Sequence, residues 1–192
     1  MQTKEKKLFT KIESGKFKGK MLILPSLSTT RSTKSIVRSC VFNVLRDELR
    51  GKVFIEAFGG SASMALEALS NEALRAYAIE LDKKAYQIAL KNARIDTNLK
   101  VFHGSSFELL PKLVLDEEQI ILYLDPPFDI RTSFENIYKK TLQMLLDLNL
   151  EKIYKIIIEH RSKINMPLNL GSLTRTKLKK FGSTSLSFYE KV

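Results

Sequence analysis

An acidic residue, two prolines and an aromatic residue follow an apolar, strand-like run in 120-IILYLDPPF-128. Two consecutive prolines lack backbone N–H donors and hold φ near a fixed value, so the chain must leave the strand as a stiff, extended corner. Such a corner can hold the carboxylate of Asp125 and the ring of Phe128 in fixed positions. The alternative interpretation is a strand end that merely contains several strand-breaking residues.

A second candidate segment is 56-EAFGGSAS-63, which joins a strand-like run to a helix through Gly59 and Gly60. Glycine lets the backbone approach a ligand closely, as in a cofactor-binding loop. The spacing is not G-x-G-x-x-G, because Ala62 and Ala65 occupy the later positions of that motif. A tight structural turn explains this segment about as well as a cofactor loop.

Glu80 favours the cofactor loop over the turn. It ends the next strand-like run, where an acidic side chain can accept hydrogen bonds from both ribose hydroxyls of a nucleoside. A carboxylate that caps the following helix is the competing explanation, although Asp82 already suits that role.

These residues must be positioned by an alternation of strands and helices. Apolar strand-like runs precede helical segments four times, and further strand-like runs follow; the seven runs are 53–58, 76–81, 99–104, 119–125, 153–160, 173–181 and 184–192. The middle runs are apolar on both faces, which predicts a parallel sheet covered by helices. Ligands of such sheets bind beyond the carboxyl ends of the strands, where the candidate residues lie.

Charge is concentrated at the two ends of a chain whose formal net charge is +11. Residues 1–52 contain 13 basic and 4 acidic residues (+9), residues 53–150 contain 10 and 14 (−4), and residues 151–192 contain 9 and 3 (+6). This segregation indicates a polyanion-binding surface formed by the two termini. Lysines that only solvate the surface are the alternative.

The remaining composition narrows the class of protein. A single cysteine, Cys40, cannot form an internal disulfide and suits a reducing compartment, and we expect it to pack in the core. No apolar run is long enough to span a membrane, and Met1–Lys7 lacks a signal-peptide pattern. We therefore expect a soluble, cytoplasmic protein.

The two histidines, His103 and His160, lie alone at strand ends, so we expect them to be structural and predict no metal site.

Four segments together resemble the RsmD-like 16S rRNA guanine-N2 methyltransferases, and the resemblance extends over nearly the whole chain. They are 31-RSTKSIVRSCVFNVL-45, 56-EAFGGSASMALEALS-70, 125-DPPF-128 and 180-KFGSTSLSFYE-190. The most specific parts are the helix in the first segment and 67-EALS-70 in the second. The resemblance implies an α/β, Rossmann-like class I methyltransferase sheet of seven strands, mostly parallel with an antiparallel last strand. We expect residues 1–50 to form a basic N-terminal extension, a short hairpin and helix, packed on a methyltransferase domain of residues 51–192.

The resemblance also implies a function. It is transfer of a methyl group from S-adenosylmethionine to the N2 amino group of a guanine in 16S rRNA, with rRNA or the small ribosomal subunit as partner and a monomeric enzyme. The implied cofactor-binding residues are Glu56, Gly59, Gly60, Ser61, Glu80, Leu81, Ser105, Ser106 and Asp125. The implied catalytic corner is Asp125, Pro126, Pro127 and Phe128. RNA contacts are expected at Lys18, Arg31, Thr33, Lys34 and Arg38, with Thr33, Arg38 and Asn43 as alternative contacts to the methionine end of the cofactor.

Several residues depart from the family pattern. The family usually has Asp at Glu56, glycines at Ala62 and Ala65, Asp at Ser105 and Pro at Ser32. The added methyl groups in the loop motivate one alternative, an RNA-binding assembly factor that kept the fold and lost turnover. A DNA adenine-N6 methyltransferase is another alternative, because the same four-residue corner serves that chemistry.

Overall fold

The computed structural model describes residues 8–25, 31–127 and 134–192, and of residues 31–34 and 134–135 only the backbone. A small antiparallel hairpin comes first, in which Leu8 pairs with Leu24 and Lys11 with Met21. A long helix follows the hairpin. These elements are β1 (Leu8–Lys11), β2 (Met21–Leu24) and α1 (Arg31–Leu45).

The helical spacing of apolar residues correctly predicts α1, whose Val37, Val41 and Leu45 are buried. Ser32 and Thr33 are of residue types that often cap helices, but the helix begins at Arg31 and both residues lie in its first turn. Polar residues suit both the cap and the first turn, so sequence fixes such a boundary only to within about two residues.

Strands and helices alternate after α1 as the sequence predicts. The elements are β3 (Val53–Glu56), α2 (Ser63–Ser70), β4 (Arg75–Glu80), α3 (Lys83–Asn92), β5 (Leu99–His103), α4 (Ser106–Asp116), β6 (Ile120–Leu124), α5 (Phe134–Leu146), β7 (Ile153–Arg161), β8 (Asn169–Leu170), β9 (Leu173–Phe181) and β10 (Thr184–Glu190). In the described ranges, no helix has the length and apolar character needed to cross a membrane.

The strands from β3 onward form one sheet in the order β5-β4-β3-β6-β7-β10-β9-β8. Strands β3 to β7 are parallel, and β10 lies antiparallel between β7 and β9. The predicted fold class, with its antiparallel last strand, is confirmed. The two-residue strand β8 is additional to the seven predicted strands and pairs with the start of β9 through the turn at Gly171.

Helices cover both faces of the sheet and enclose two cores. The hairpin, α1, α2 and α3 pack on one face, while α4 and α5 pack on the other. Strands β3 and β6 are buried along their whole length between these layers, as their apolar sequences predict. Cys40 is half-buried against the first core, and burial raises the pKa of its thiol, which is typical of a packed cysteine.

The hairpin docks on the end of α2 through buried polar side chains. Glu67 is 1% exposed, and its carboxylate accepts hydrogen bonds from the backbone N–H groups of Glu13 and Ser14. The Ser70 hydroxyl oxygen accepts the N–H of Phe17 at 2.9 Å. At Gly15, φ is +74° and a Cβ would lie 1.9 Å from the Ser70 carbonyl oxygen, so only glycine fits this contact. The 67-EALS-70 segment therefore fixes the position of the hairpin.

Candidate active site

The strand order reverses between β3 and β6, which are neighbours in the sheet although two strands separate them in sequence. Ligands of open α/β sheets bind in the crevice at such a switch point. Glu56 ends β3, and Asp125 directly follows β6. The topology therefore brings the two segments that the sequence singled out to the same edge of the sheet.

The loop after β3 is held tightly against its neighbours. Glu56 is buried, and its Oε2 accepts the backbone N–H of Ala65 in α2 at 2.9 Å. The N–H of Gly59 donates to the carbonyl oxygen of Ile79 at 2.7 Å. A Cβ at Gly59 would lie 3.1 Å from the Cβ of Ala78, so the absent side chain lets the loop pack on β4. Glu56 and Gly59 thus shape the loop that faces the crevice.

Glu80 ends β4 beside this loop. Its Oε2 accepts the N–H of Gly60, and its Oε1 accepts the N–H of Asp82, both at 2.6 Å. Asp82 caps α3 by accepting the N–H of Ala85, as predicted. The carboxylate of Glu80 is therefore fixed at the loop by two backbone donors, and its predicted role at a ribose remains a prediction.

Ala62 and Ala65, where the family usually has glycine, are both fully buried in this loop region. Ala62 has φ 59° and ψ 31°, a left-handed conformation that costs an L-residue about 1–2 kcal/mol. Its N–H donates to the carbonyl oxygen of Gly59, and its own carbonyl oxygen accepts the N–H of Leu66. The backbone at Ala62 therefore has the left-handed conformation that glycine adopts most readily, although the residue is alanine.

The remaining predicted cofactor residues differ in their burial and in their hydrogen-bond partners. Ser61 is buried, and its carbonyl oxygen accepts the side-chain N–H of Asn92 at 2.9 Å. Ser106 is also buried, and its hydroxyl donates to the carbonyl oxygen of Ala57, which joins α4 to the end of β3. Ser105 is half-buried at the start of α4, without a side-chain cap hydrogen bond. Leu81 is 69% exposed.

A cleft of about 260 Å³ lies at the switch point between the sheet and the N-terminal elements. Its lining combines the two predicted segments: Glu56, Gly59, Gly60 and Ser61 from the loop and Asp125 from the corner. Glu80, Leu81, Ser105 and Ser106 lie outside this lining.

The corner itself is partly described. Asp125 is half-buried, Pro126 is buried and Pro127 is exposed. Phe128, the last residue of the predicted catalytic corner, lies outside the described residues.

Sequence reasoning missed two polar side chains in the cleft wall, Tyr123 and Glu159. The Tyr123 hydroxyl donates to Oε2 of Glu159. Burial raises the pKa of Tyr123 well above its usual value, and the carboxylates of Glu159, Asp125 and Glu56 raise it further. Three carboxylates therefore act on one buried phenol in the cleft wall. The signal in the sequence was a glutamate directly after the apolar residues 156–158 of β7.

Arg38 does not have the surroundings predicted for an RNA contact. Its side chain is 8% exposed, and Nη2 donates to Oε1 of Glu13 at 2.7 Å and to the carbonyl oxygen of Lys11 at 3.1 Å. Its Nε lies 3.6 Å from Oε2 of Glu67. An RNA phosphate would have to displace these internal partners, because they hold Arg38 between the hairpin and α2. The side chain of Arg38 instead belongs to the wall of the cleft.

The other predicted RNA contacts lie in N-terminal elements. Lys18 is exposed in the turn of the hairpin. Arg31, Thr33 and Lys34 lie in the first turn of α1, where the structure describes only the backbone.

The basic C-terminal segment approaches the same helix. Lys177 and Lys179 are exposed on β9, and both lie close enough to Cys40 on α1 to lower the pKa of its thiol against the effect of burial. They pair with Phe188 and Leu186 of β10, which belong to the core beneath α1. Lys177 and Lys179 of the basic C-terminal segment therefore lie on the same side of the sheet as α1.

The two histidines have protein partners of their own. His160 is buried with Nε2 2.9 Å from the Ser187 hydroxyl, and burial lowers its pKa. His103 stacks on Tyr86 with 4.8 Å between ring centroids. Among the described residues, no three side chains of His, Cys, Asp or Glu are grouped as a metal site requires.

The strand order, the antiparallel β10 and a cleft at the β3–β6 switch point define a class I methyltransferase fold. The chain belongs to the family described as Conserved hypothetical protein 95, whose model matches residues 10–190. One relative, Ribosomal RNA small subunit methyltransferase D from Buchnera aphidicola subsp. Baizongia pistaciae, is 30% identical over 169 residues, which are 84% of this chain and 82% of that protein. The predicted RsmD-like family is therefore confirmed.

Solved structures agree on the fold. "Putative methyltransferase yhhF" from Escherichia coli superposes with a TM-score of 0.75 at 22% identity, and the match covers 95% of this chain and 98% of that one. SMU.776, complexed with SAH, has a TM-score of 0.65 at 12% identity, with 98% of this chain and 57% of that one covered. At these identities the likeness shows the shared fold.

Proposed function

We propose that this protein transfers the methyl group of S-adenosylmethionine to the N2 amino group of a guanine in 16S ribosomal RNA. The observation that carries the proposal is the cleft in which the glycine loop after β3 and Asp125 after β6 face each other. The methyltransferase D relative supports rRNA as the substrate. The neighbour complexed with SAH, the demethylated form of the cofactor, supports the cofactor.

The cleft suits this cofactor electrostatically. S-adenosylmethionine supplies an electrophilic methyl group on a sulfonium, and its amino-acid end carries an ammonium and a carboxylate. Glu56, Asp125 and Glu159 line the cleft together with Arg38, so groups of both signs are present for the cofactor, and opposite charges attract strongly where water is partly excluded. In this proposal Glu56, Gly59, Gly60 and Ser61 bind the methionine end.

Glu80 would receive the ribose. Its carboxylate lies at the loop, held by the N–H groups of Gly60 and Asp82. A carboxylate offers about four acceptor sites, so two backbone bonds leave capacity for ribose hydroxyls. Leu81, Ser105 and Ser106 would border the adenosine side, where Ser106 fixes the end of β3 through Ala57.

Asp125 and the following backbone would hold the reacting amine. The lone pair of an exocyclic amino group on guanine is delocalised into the ring, so the amine is a poor nucleophile. The Asp125 carboxylate and a backbone carbonyl at the Pro126–Pro127 corner would accept its two N–H groups and direct the lone pair at the methyl group. The prolines would keep this geometry stiff, because misplacement of reacting atoms is costly. Phe128 would stack on the extruded base, which contributes about 1–3 kcal/mol.

The basic ends of the chain would bind the RNA backbone. Lys177 and Lys179 lie beside α1, whose first turn contains Arg31, Thr33 and Lys34, and Lys18 is exposed on the hairpin. Phosphate contacts of this type position a nucleic acid without reading its sequence.

Methyl transfer from labelled S-adenosylmethionine to small ribosomal subunits, naked 16S rRNA and DNA, measured in parallel, tests the proposal. We expect label in ribosomal RNA, recovered as N2-methylguanosine after nuclease digestion. Binding to rRNA without transfer would identify an assembly factor instead. Label in DNA alone would identify a DNA methyltransferase.

A further inference from the structure

Glu159 and Tyr123 form a hydrogen-bonded pair in the cleft wall beside Asp125. Strands β6 and β7 are parallel neighbours, and Leu124 of β6 is in register with Ile158 of β7. Asp125 and Glu159 are the next residues of these two segments, and both line the cleft. Adjacent strands lie about 4.8 Å apart, so the two carboxylates belong to neighbouring positions on one edge of the sheet.

The surroundings fix Glu159 as a hydrogen-bond acceptor. Its side chain is buried, and the Tyr123 hydroxyl donates to its Oε2. Burial and nearby carboxylates raise the pKa of Tyr123 well above its usual value, so the phenol stays protonated and remains a donor. Burial, Asp125 and Glu159 similarly raise the pKa of Tyr138 to about 12. The two carboxylates thus act together on both tyrosines, although the function proposed above gives Glu159 only a share in the charge of the cleft.

We propose that Glu159 is a specificity-determining residue that accepts the N1–H of the target guanine while Asp125 holds the N2 amino group. This inference rests on the proposed function. Among the standard RNA bases, only guanine carries an exocyclic amino group next to a ring N–H. Adenine and cytosine have a ring acceptor beside the amino group, so a second carboxylate next to Asp125 matches guanine and opposes the others.

The acceptor capacity of Glu159 allows this contact. A carboxylate has about four lone-pair sites, so the bond from Tyr123 does not exhaust it. If adenine or cytosine occupied the site, the Glu159 carboxylate would face a ring nitrogen that is also an acceptor. Two buried acceptors would then lie side by side without a donor between them. Sites that hydrogen-bond a substrate group reject analogues lacking that group by large factors, up to about 10⁴–10⁵.

The decisive substrate is a small ribosomal subunit reconstituted with 2-aminopurine at the guanine that the enzyme methylates. 2-Aminopurine keeps the amino group at C2 but has an acceptor at N1. We expect the wild-type enzyme to methylate guanine at least about tenfold faster in kcat/KM than 2-aminopurine. Wild-type rates within threefold of each other would overturn the inference without any variant.

Glu159→Gln tests the residue itself. Glutamine keeps the shape and can still accept from Tyr123, but its amide can donate to the N1 of 2-aminopurine. We expect the guanine to 2-aminopurine ratio of kcat/KM to fall at least about tenfold relative to the wild-type enzyme. The amines of guanine and 2-aminopurine differ in intrinsic reactivity. This difference is the same for both enzymes, so it cancels when the wild-type ratio is compared with the variant ratio.

Tyr123→Phe is the matched control, because it removes the hydrogen bond from the Tyr123 hydroxyl to Glu159 and keeps the carboxylate. Both rates should fall, with the ratio within threefold of the wild-type ratio. If Glu159→Gln lowers both rates by the same factor, Glu159 is only structural and the inference is wrong. If the wild-type enzyme methylates no guanine, the proposed function fails and this inference fails with it.

Discussion

The carboxylate of Glu80 joins the end of β4 to the glycine loop, because its Oε2 accepts the N–H of Gly60 at 2.6 Å. Its other oxygen accepts the N–H of Asp82 at the same distance. A residue that the sequence suggested as a ligand for ribose is thus also part of the loop's own structure. Any ribose that it binds would be positioned directly beside Gly60.

Glu80→Ala should weaken the binding of S-adenosylmethionine by about tenfold to hundredfold, because hydrogen bonds to a charged group contribute about 1.5–3 kcal/mol. Isothermal titration calorimetry gives the dissociation constants. Asp82→Ala is the matched control: it removes the cap of α3 and should lower the free energy of unfolding by about 1 kcal/mol while leaving the dissociation constant within threefold. Unchanged affinity in Glu80→Ala would refute the ribose contact.

Asp125→Ala should abolish detectable methyl transfer while S-adenosylmethionine binding changes by no more than a few fold. The carboxylate is assigned mainly to the amine of the base, so its loss should appear in turnover. Single-turnover transfer from labelled cofactor and calorimetry of cofactor binding separate the two effects. Near wild-type turnover would remove Asp125 from the catalytic corner.

The sequence placed Glu56, Gly60 and Asp125 in one site because each lies at or just after the end of an apolar strand, and the ends of parallel strands share an edge. Tyr123 escaped notice because it lies within the apolar strand β6, and Glu159 because it lies within β7 and not in the loop after that strand. Only the pairing of β6 with β7 brings them together. No local pattern encodes a contact that depends on which strands become neighbours.

The surroundings of Arg38 likewise could not be predicted from the pattern of charges in the sequence. Its helix is flanked by basic residues, which predicted a surface role, but the side chain is buried against Glu13 and Glu67. These partners lie in the hairpin and in α2, far from Arg38 in the sequence. Buried charges need such partners, and a one-dimensional charge pattern does not reveal them.

Acid should loosen the attachment of the hairpin. Burial alone would raise the pKa of Glu13, but hydrogen bonds from Ser39, Ser35 and Arg38 outweigh it and hold the pKa below the usual 4.5. Because the folded-state pKa is lowered, this stabilisation is fully present above the unfolded-state pKa and is lost as pH falls through the folded-state value. Asp96, which pairs with Lys16 on the hairpin, also has a lowered pKa and should act in the same direction.

The measurement is the thermal unfolding midpoint between pH 7 and pH 3. The wild-type midpoint should fall steeply below about pH 4.5, and Glu13→Gln should flatten part of that fall. Glu151→Gln is the control, since Glu151 is exposed and pairs only with the exposed Lys191 among its described ion-pair partners. A Glu13→Gln curve parallel to the wild-type curve would show that Glu13 contributes nothing to the acid sensitivity.

Binding to 16S rRNA should weaken steeply with salt, with each phosphate contact to a single strand adding about −0.7 to the log–log slope. Combined Lys177→Glu and Lys179→Glu substitutions should make the slope shallower by about 1.4 if both lysines contact phosphates. Combined Lys112→Glu and Lys140→Glu substitutions are the charge-matched control, because α4 and α5 pack on the opposite face of the sheet. A slope that is flat, or equally affected by the control, would mean that these lysines only solvate the surface.

The assignment of guanine N2 as the methyl acceptor can be tested with a substrate that lacks this atom. The corner at Asp125 suits an exocyclic amine of guanine or adenine alike, and both bases can stack on an aromatic ring. A small subunit reconstituted with inosine at the target position keeps the stacking face and the N1–H but lacks the 2-amino group. It should bind the enzyme within a few fold of the natural subunit and accept no methyl group. Methylation of inosine at that position, or recovery of N6-methyladenine from natural subunits, would overturn the guanine-N2 assignment while leaving the methyltransferase fold unaffected.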